Sequence, residues 1–187
     1  MIHPLHDVPA GADPPQELNV IVEIPRGSRN KYELDKTAGL LRFDRLLYSA
    51  VHYPGDYGFI PRTLADDDDP LDVLVIVTEP TFPGCLMAVR PIGVFVMEDE
   101  KGIDEKILCV PVKDPLHHEY RVLHDVPPHF LKEVEHFFSI YKDLEGKATR
   151  VEGWRDLDEA LAIVRAAMRR YEEKGGRGGS GAGPGQG

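Results

Sequence analysis

A chain of 187 residues and 20.9 kDa holds one ordinary domain, or one domain with a tail, and is long enough to bury a core. With 42% hydrophobic and 29% charged residues, and no apolar run near the roughly 18 residues that a bilayer span needs, a membrane helix is excluded. The formal charge of −10 argues against a protein whose main business is clamping a nucleic acid backbone or an anionic membrane surface.

Along the chain, Met1 to Ala10 lacks the basic start and apolar core of a secretory signal. Cys85 and Cys109 sit in apolar segments without a zinc-finger spacing and read as two reduced, buried thiols of a cytoplasmic protein. Asn19–Ile24, Asp72–Val77, Leu86–Met97 and Ile107–Val112 are rich in Val, Ile, Leu and Phe and predict strands. Pro80, Pro83-Gly84 and the stretch from Glu98 to Asp104 supply turns between them. His117-His118 reads as an exposed turn. Pro127-Pro128 can open a helix on which Phe130, Leu131, Val134, Phe137, Phe138 and Tyr141 recur at three- and four-residue steps, and His136 and Phe138 are candidates for an assembly surface. A second helix starts near Asp156, with Glu159 completing a capping box and Leu157, Ala160, Leu161, Val164 and Met168 on one face. The end, Gly175 to Gly187, holds eight of the 18 glycines and cannot repay the entropy of ordering. One domain over residues 1–173 with a flexible tail over 174–187 is therefore expected. Strands first and helices last predict an α+β fold, a curved or closed antiparallel sheet with helices packed outside.

The charge is unevenly placed. Between Asp66 and Lys106 stand 11 acids (Asp66, Asp67, Asp68, Asp69, Asp72, Glu79, Glu98, Asp99, Glu100, Asp104, Glu105) against Arg90, Lys101 and Lys106, a local net of −8. Within it, Asp67-Asp68-Asp69-Pro70-Leu71-Asp72 puts carboxylates at i, i+2 and i+5 beside a strongly apolar strand. In extended geometry Asp67 and Asp69 point the same way, and a turn at Pro70 can bring Asp72 round to them. Converging carboxylates repel unless protonated or neutralised, and hard oxygen ligands select magnesium, manganese or calcium over zinc or copper. A bare aspartate run is also consistent with a solvated loop. Against that stand its junction with a core strand and a second acidic group, Asp99 with Asp104, in a later turn that could face it. The glycine and terminal glutamate of a helix-loop-helix calcium site are missing.

A carboxylate-held metal commonly serves an anionic substrate, so cations and donors matter next. Arg26, Arg29, Lys31, Lys36, Arg42 and Arg45 cluster within 20 residues against only Glu33, Asp35 and Asp44, followed by Tyr53, Tyr57 and later Tyr141-Lys142. Such groups with divalent cations suit a phosphate cradle. Taken singly, Lys36 and Arg42 read as solvated surface charges, and Tyr53 or Tyr141 as core residues with a wet hydroxyl. No Walker loop and no dinucleotide fingerprint is present.

Glu23-Ile24-Pro25, Lys31-Tyr32-Glu33, Asp44-Arg45, Tyr53-Pro54-Gly55-Asp56-Tyr57-Gly58, Asp67 to Asp72, Asp99 to Asp104 with Lys106, and Tyr141-Lys142-Asp143 together resemble, in order, the soluble inorganic pyrophosphatases of family I. The resemblance implies a five-stranded closed barrel of the OB type flanked by C-terminal helices, hydrolysing pyrophosphate to two phosphates with magnesium. It implies metal ligands at Asp67, Asp72 and Asp104, with Asp72 shared between two metals, and at Asp99, Asp104 and Glu23 for metals arriving with substrate. Asp69 matches the general base, and Asp104 and Tyr57 belong to the catalytic set. Lys31, Arg45, Lys106, Tyr141 and Lys142 match the phosphate-binding set, supported by Tyr53, Tyr57 and Glu33, while Arg26 and Arg29 stay unassigned. A homo-oligomer, a hexamer of two trimers, is implied as well. With several divalent cations bound, the acidic stretch would present positive charge to a polyanion. Two rivals remain from the residues alone. A phosphatase for organic esters would need an apolar slot, and a single-strand nucleic acid binder would need a positive aromatic groove.

Overall fold

In the computed structural model, which describes residues 2–176, the elements run β1 (Leu18–Ile24), β2 (Asn30–Asp35), β3 (Leu40–Leu46), β4 (Asp56–Phe59), β5 (Asp72–Val75), β6 (Leu86–Asp99), β7 (Gly102–Pro111), α1 (Pro128–Ile140), β8 (Arg150–Arg155) and α2 (Leu157–Glu173). Residues 177–187, the greater part of the expected tail, lie outside the described residues. No described helix is long and apolar enough to cross a membrane.

Five strands close into a ring. β1 pairs with β4, β4 with β5, β5 with β7 and β7 with β6, and the start of β6 returns to β1. Closure depends on the 14 residues of β6. One edge of this strand belongs to β7, and the other is divided between β1 at Leu86–Val89 and β8 at Val94–Glu98. A bulge between Pro91 and Gly93 bends the strand between those two partners, where proline has no N–H to give to a ladder. The expectation of an antiparallel sheet fails at one seam, since β5 and β7 are parallel. β6 and β7 form a hairpin after β5, so the chain meets β5 again running in the original direction.

Alternate residues of the barrel wall feed two cores. Val73, Val75, Ile107 and Cys109 pack with Ala160, Val164 and Ala167 of α2, whereas Leu74, Ile76, Leu108 and Val110 pack with Val134, Phe137 and Phe138 of α1. Burial on both faces is why these strands read as continuous apolar runs. The strands that escaped the sequence lack that signature. β2 and β3 form a separate two-stranded hairpin with no fully buried position, β4 is four residues long, and β8 is partly exposed.

Several expectations need correction. β7 begins at Gly102 rather than Ile107, so the turn after β6 contracts to Glu100-Lys101, with Asp99 opposite Gly102 at φ +118°. Phe138 is buried against Phe95 and Tyr141, so of the two proposed assembly residues only His136 is exposed. His117 and His118 are half-buried, their Nδ1 atoms 3.0 Å from a carboxylate oxygen and the carbonyl oxygen of Asp114 respectively. Asp156 does precede α2, but its side chain makes no capping hydrogen bond. Cys109 is buried as expected, Cys85 only half so, and both are free.

Candidate active site

The site begins where three barrel strands change from polar to apolar. Asp72 opens β5 and lies beside Lys106 of β7 in parallel register. By two-residue alternation Asp72 shares its face with Leu74, and Asp104 and Lys106 share theirs with Leu108. The same strands thus carry charge at one end and core at the other. On β4, Tyr57 stands on this face next to Gly58. A Cβ on Gly58 would meet the Ile21 carbonyl oxygen at 2.0 Å, so only glycine lets β4 lie this close to β1.

Lys106 is the centre of this wall. Its side chain is 3% exposed, and its ammonium lies 3.0 Å from Asp72, 2.8 and 2.9 Å from the two Asp104 oxygens and 2.7 Å from the Tyr57 hydroxyl. The rings of Tyr57 and Phe138 cover it at 5.2 and 5.1 Å. Tyr57 donates its own proton to Asp72. Burial acts to lower the Lys106 pKa, but Asp104 and Asp72 outweigh it and hold the ammonium well above its usual range. The Asp72 carboxyl is raised by desolvation, against which Lys106 pulls down and Asp104 pushes up. Burial also raises Tyr57, with Asp72 and Asp104 adding to it.

The aspartate loop is a tight turn, not an extended segment. Ala65 donates to the Asp69 carbonyl at 2.8 Å, Asp69 N–H to Asp67 Oδ1 at 3.0 Å, and Asp68 adopts φ +66°. Aspartate tolerates that left-handed region better than most residues. The base of the loop is fixed by buried Thr63, whose hydroxyl donates to Ile60 at 2.6 Å and accepts from Leu71 N–H at 3.0 Å. Asp69 faces two ammonium groups, Lys36 at 2.7 Å and Lys101 at 3.6 Å. Lys36 is therefore no free surface charge, because the β2–β3 turn delivers it to the loop. Lys101 sits in the turn between β6 and β7, so the two acidic turns do approach each other, with a cation between them. Across the cleft, Lys142 binds Asp99 at 2.7 Å and Lys147 binds Glu100 at 3.1 Å. Burial would raise Asp99, yet the Lys142 bond brings its pKa below the usual carboxylate value.

The hairpin supplies the opposite wall. Lys31 pairs with Glu33 and lies 3.5 Å from Asp44, while Arg45 pairs with Asp44 and grips Glu145 through two bonds of 3.0 and 2.9 Å. Between the walls, buried Glu23 accepts from Leu34 N–H at 2.8 Å, and burial, assisted by Asp72, pushes its pKa up to about 8. Tyr53 and Tyr141 are both core residues and cleft residues, each raised chiefly by burial.

Every residue given a metal, catalytic or phosphate-binding role from the sequence, from Glu23 to Lys142, lines one cleft of ≈ 270 Å³. Seventeen of its 28 lining residues are charged, ten acids and seven bases, a net of −3. Lys36, Asp66, Glu100, Lys101, Glu105 and Lys147 join the set without having been assigned. Their signal was only proximity to assigned residues. Arg26 and Arg29 stay outside. The Arg26 guanidinium donates to Val77 and Thr78 carbonyls and Arg29 to Leu47, while Asp56 of the tyrosine motif is a fully buried acceptor for Arg26 N–H and Thr81. Among the described residues no three His, Cys, Asp or Glu side chains stand ready as a metal-binding group. Ammonium groups occupy the space between the carboxylates instead.

A closed five-stranded barrel of the OB type, flanked by C-terminal helices and bearing a carboxylate- and lysine-lined cleft at one end, defines the class. Over residues 20–172 the chain matches the family model described as inorganic pyrophosphatase. It is 56% identical over 155 residues to an inorganic pyrophosphatase of Methanosarcina mazei, covering 83% of this chain and 92% of the relative, and 52% identical over 155 residues to that of Synechocystis, again covering 83% and 92%. The crystal structure of inorganic pyrophosphatase from Thermus thermophilus superposes with a TM-score of 0.87 at 46% identity, covering 90% of this chain and 99% of that one. The chain belongs to the inorganic pyrophosphatase family.

Proposed function

We propose that this chain hydrolyses inorganic pyrophosphate to two phosphates with the help of magnesium. The observation that carries this reading is the lining of the cleft, small and mostly charged, with ten acids to hold cations and seven bases to hold phosphate oxygens. Family membership supports the same substrate. The donor set fits a hard divalent ion, for the available ligands are carboxylate oxygens, and burial raises the pKa of both Glu23 and half-buried Asp72, with a neighbouring carboxylate adding to each shift. Two such ions would turn the net −3 of the lining into +1, the sign a polyanion requires. Bound there, magnesium supplies charge neutralisation and a more acidic water.

The ligand assignment is Asp67, Asp72 and Asp104, with Asp72 shared, and Asp99, Asp104 and Glu23 for ions accompanying substrate. Asp69 takes or orients the proton of the attacking water, with the Lys36 and Lys101 ammonium groups beside its carboxylate. Tyr57 holds Asp72 in place. Lys31, Arg45, Lys106, Tyr141 and Lys142 bind phosphate oxygens, with Tyr53 and Glu33 in support; the carboxylate partners of Lys31, Arg45 and Lys142 keep those three cations poised at the cleft until an anion competes for them. The assay is phosphate release from pyrophosphate, with and without magnesium, beside release from a nucleotide and a simple phosphate ester. Magnesium-dependent release from pyrophosphate far above the other two is expected, and its absence would sink the proposal.

The reading extends to a cytoplasmic homohexamer. Two free cysteines suit a reducing compartment, and the exposed Leu40, Phe43, Leu46 and Tyr48 around the hairpin offer apolar area for a second copy. Sedimentation equilibrium should return six chain masses.

A further inference from the structure

The four consecutive acids Asp66 to Asp69 divide by alternation. Asp66 and Asp68 are tied to α2, through Arg170 at 2.8 Å and through Lys174, whereas Asp67 and Asp69 carry the roles assigned above. Three contacts from one helix face meet the loop in order. Ala167 accepts from Leu64 N–H at 3.0 Å, Arg170 donates to the Leu64 carbonyl at 2.9 Å as well as pairing with Asp66, and Lys174 reaches Asp68. Steps of three and four on a helix keep Ala167, Arg170 and Lys174 in line, and steps of two in the loop match them. The helix is a rigid support, because Ala160, Val164 and Ala167 are fully buried in the barrel core. A loop of four adjacent like charges with Asp68 at φ +66° repels itself, and the helix supplies the opposing cations.

We propose that the last turns of α2 position the aspartate loop, with Arg170 the positioning residue that sets where Asp67 and Asp69 stand over the cleft. Arg170 is suited to this because its planar guanidinium presents Nη1 to the Leu64 carbonyl and Nη2 to the Asp66 carboxylate in one fixed fork, whereas an ammonium offers a single point charge on a flexible stem. It does not line the cleft and touches no substrate. The proposal rests on the assignment of Asp67 and Asp69 to the metal and water site.

The test is calorimetric titration of the full chain with magnesium alone, no substrate present, for the wild type, Arg170→Ala and Arg170→Lys, together with thermal melting. Arg170→Ala, which frees Asp66 and Leu64 next to Asp67 without touching a ligand, should weaken magnesium binding by about tenfold, the low end of what losing a ligand's direct hydrogen-bond partner costs. Arg170→Lys, able to keep one of the two contacts, should weaken it by about threefold. An unchanged magnesium affinity in Arg170→Ala, with only the melting temperature lowered, overturns the proposal by reducing Arg170 to a structural tether. If Arg170→Ala does not fold, the exposed double variant Asp66→Asn with Lys174→Ala replaces it, and an unchanged affinity there overturns the proposal equally. Because the titration contains no pyrophosphate, failure of the proposed hydrolysis would leave this result standing, and the two can be told apart.

Discussion

The barrel wall and the β2–β3 hairpin bring charges of both signs to the same cleft with their cations buried to different degrees. On the barrel, Lys106 is 3% exposed and locked among Asp72, Asp104 and Tyr57, covered by two rings. On the hairpin, a two-stranded sheet outside the barrel, Lys31 is 17% exposed and its partner Glu33 58%. A buried ion network is costly to break because any member left behind is a desolvated charge, whereas an exposed pair is screened by water and exchanges partners readily. The barrel wall is therefore built to hold a fixed arrangement, and the hairpin to meet an arriving anion.

That contrast can be broken most sharply at Asp72. Asp72→Asn removes the shared ligand while leaving the shape of the side chain, and pyrophosphate turnover should fall by about a thousandfold at saturating magnesium, on the scale of losing a central electrostatic contact. Near-normal turnover would show that the barrel wall is not the catalytic one. Next comes Lys106→Met, which keeps the chain length but strands Asp72 and Asp104. Urea unfolding of the metal-free protein should show a loss of about 2 kcal/mol, less than a fully buried pair would cost because water still reaches Asp72 and Asp104, 31% and 27% exposed. Added magnesium should recover part of that loss, and a stability equal to wild type would place the lysine outside the network.

Glu23, between the two walls, gives a pH signature. Its folded pKa of about 8 lies above the 4.5 of an ordinary glutamate, so the folded state holds a proton that the unfolded chain has already released. Stability of the metal-free protein should therefore decline as pH rises from 4.5 to 8, by on the order of 4 kcal/mol from this group. Melting curves of Glu23→Gln across that interval should lack this slope, and an identical slope would assign it elsewhere. The smallest effect belongs to the hairpin. Lys31→Ala should raise KM for pyrophosphate by about tenfold while moving the melting temperature by less than about 2 °C, since a largely screened pair adds little to folding. A large drop in melting temperature would contradict the proposed difference between the walls.

Legibility in the sequence followed the same division. The barrel strands were readable because Val73 to Val77, Val94 to Met97 and Ile107 to Val110 are buried on both faces and stand out as apolar runs. The hairpin was not. In β2 and β3 charged and apolar residues mingle, nothing is fully buried, and the pairing Lys31 to Arg45 that brings two phosphate-binding candidates side by side has no local signal. Lys36 is exposed, as expected of a surface lysine, but its pairing was not readable. Its role comes from Asp69, 33 residues away. Thr63 is a plain threonine until the fold wraps Ile60 and Leu71 around its hydroxyl. The tight turn at Asp67 to Asp69 departs from the extended geometry that alternate spacing suggested, because Asp67 uses an oxygen to cap the backbone of the same turn.

By itself the sequence determined the chemistry available, a run of hard carboxylate ligands with cations and phenols following in a fixed order, and the apolar segments that had to become a barrel. Residue type and burial demand settle those, and both are local. The tertiary structure alone decided the charge of the site. The acidic stretch that sums to −8 along the chain becomes a cleft lined at −3, because a hairpin from upstream and the segment after α1 from downstream deliver Lys31, Lys36, Arg45, Lys142 and Lys147 to the same place. Coulombic interaction falls with distance through space, not along the chain, so no count over a sequence window could have found it.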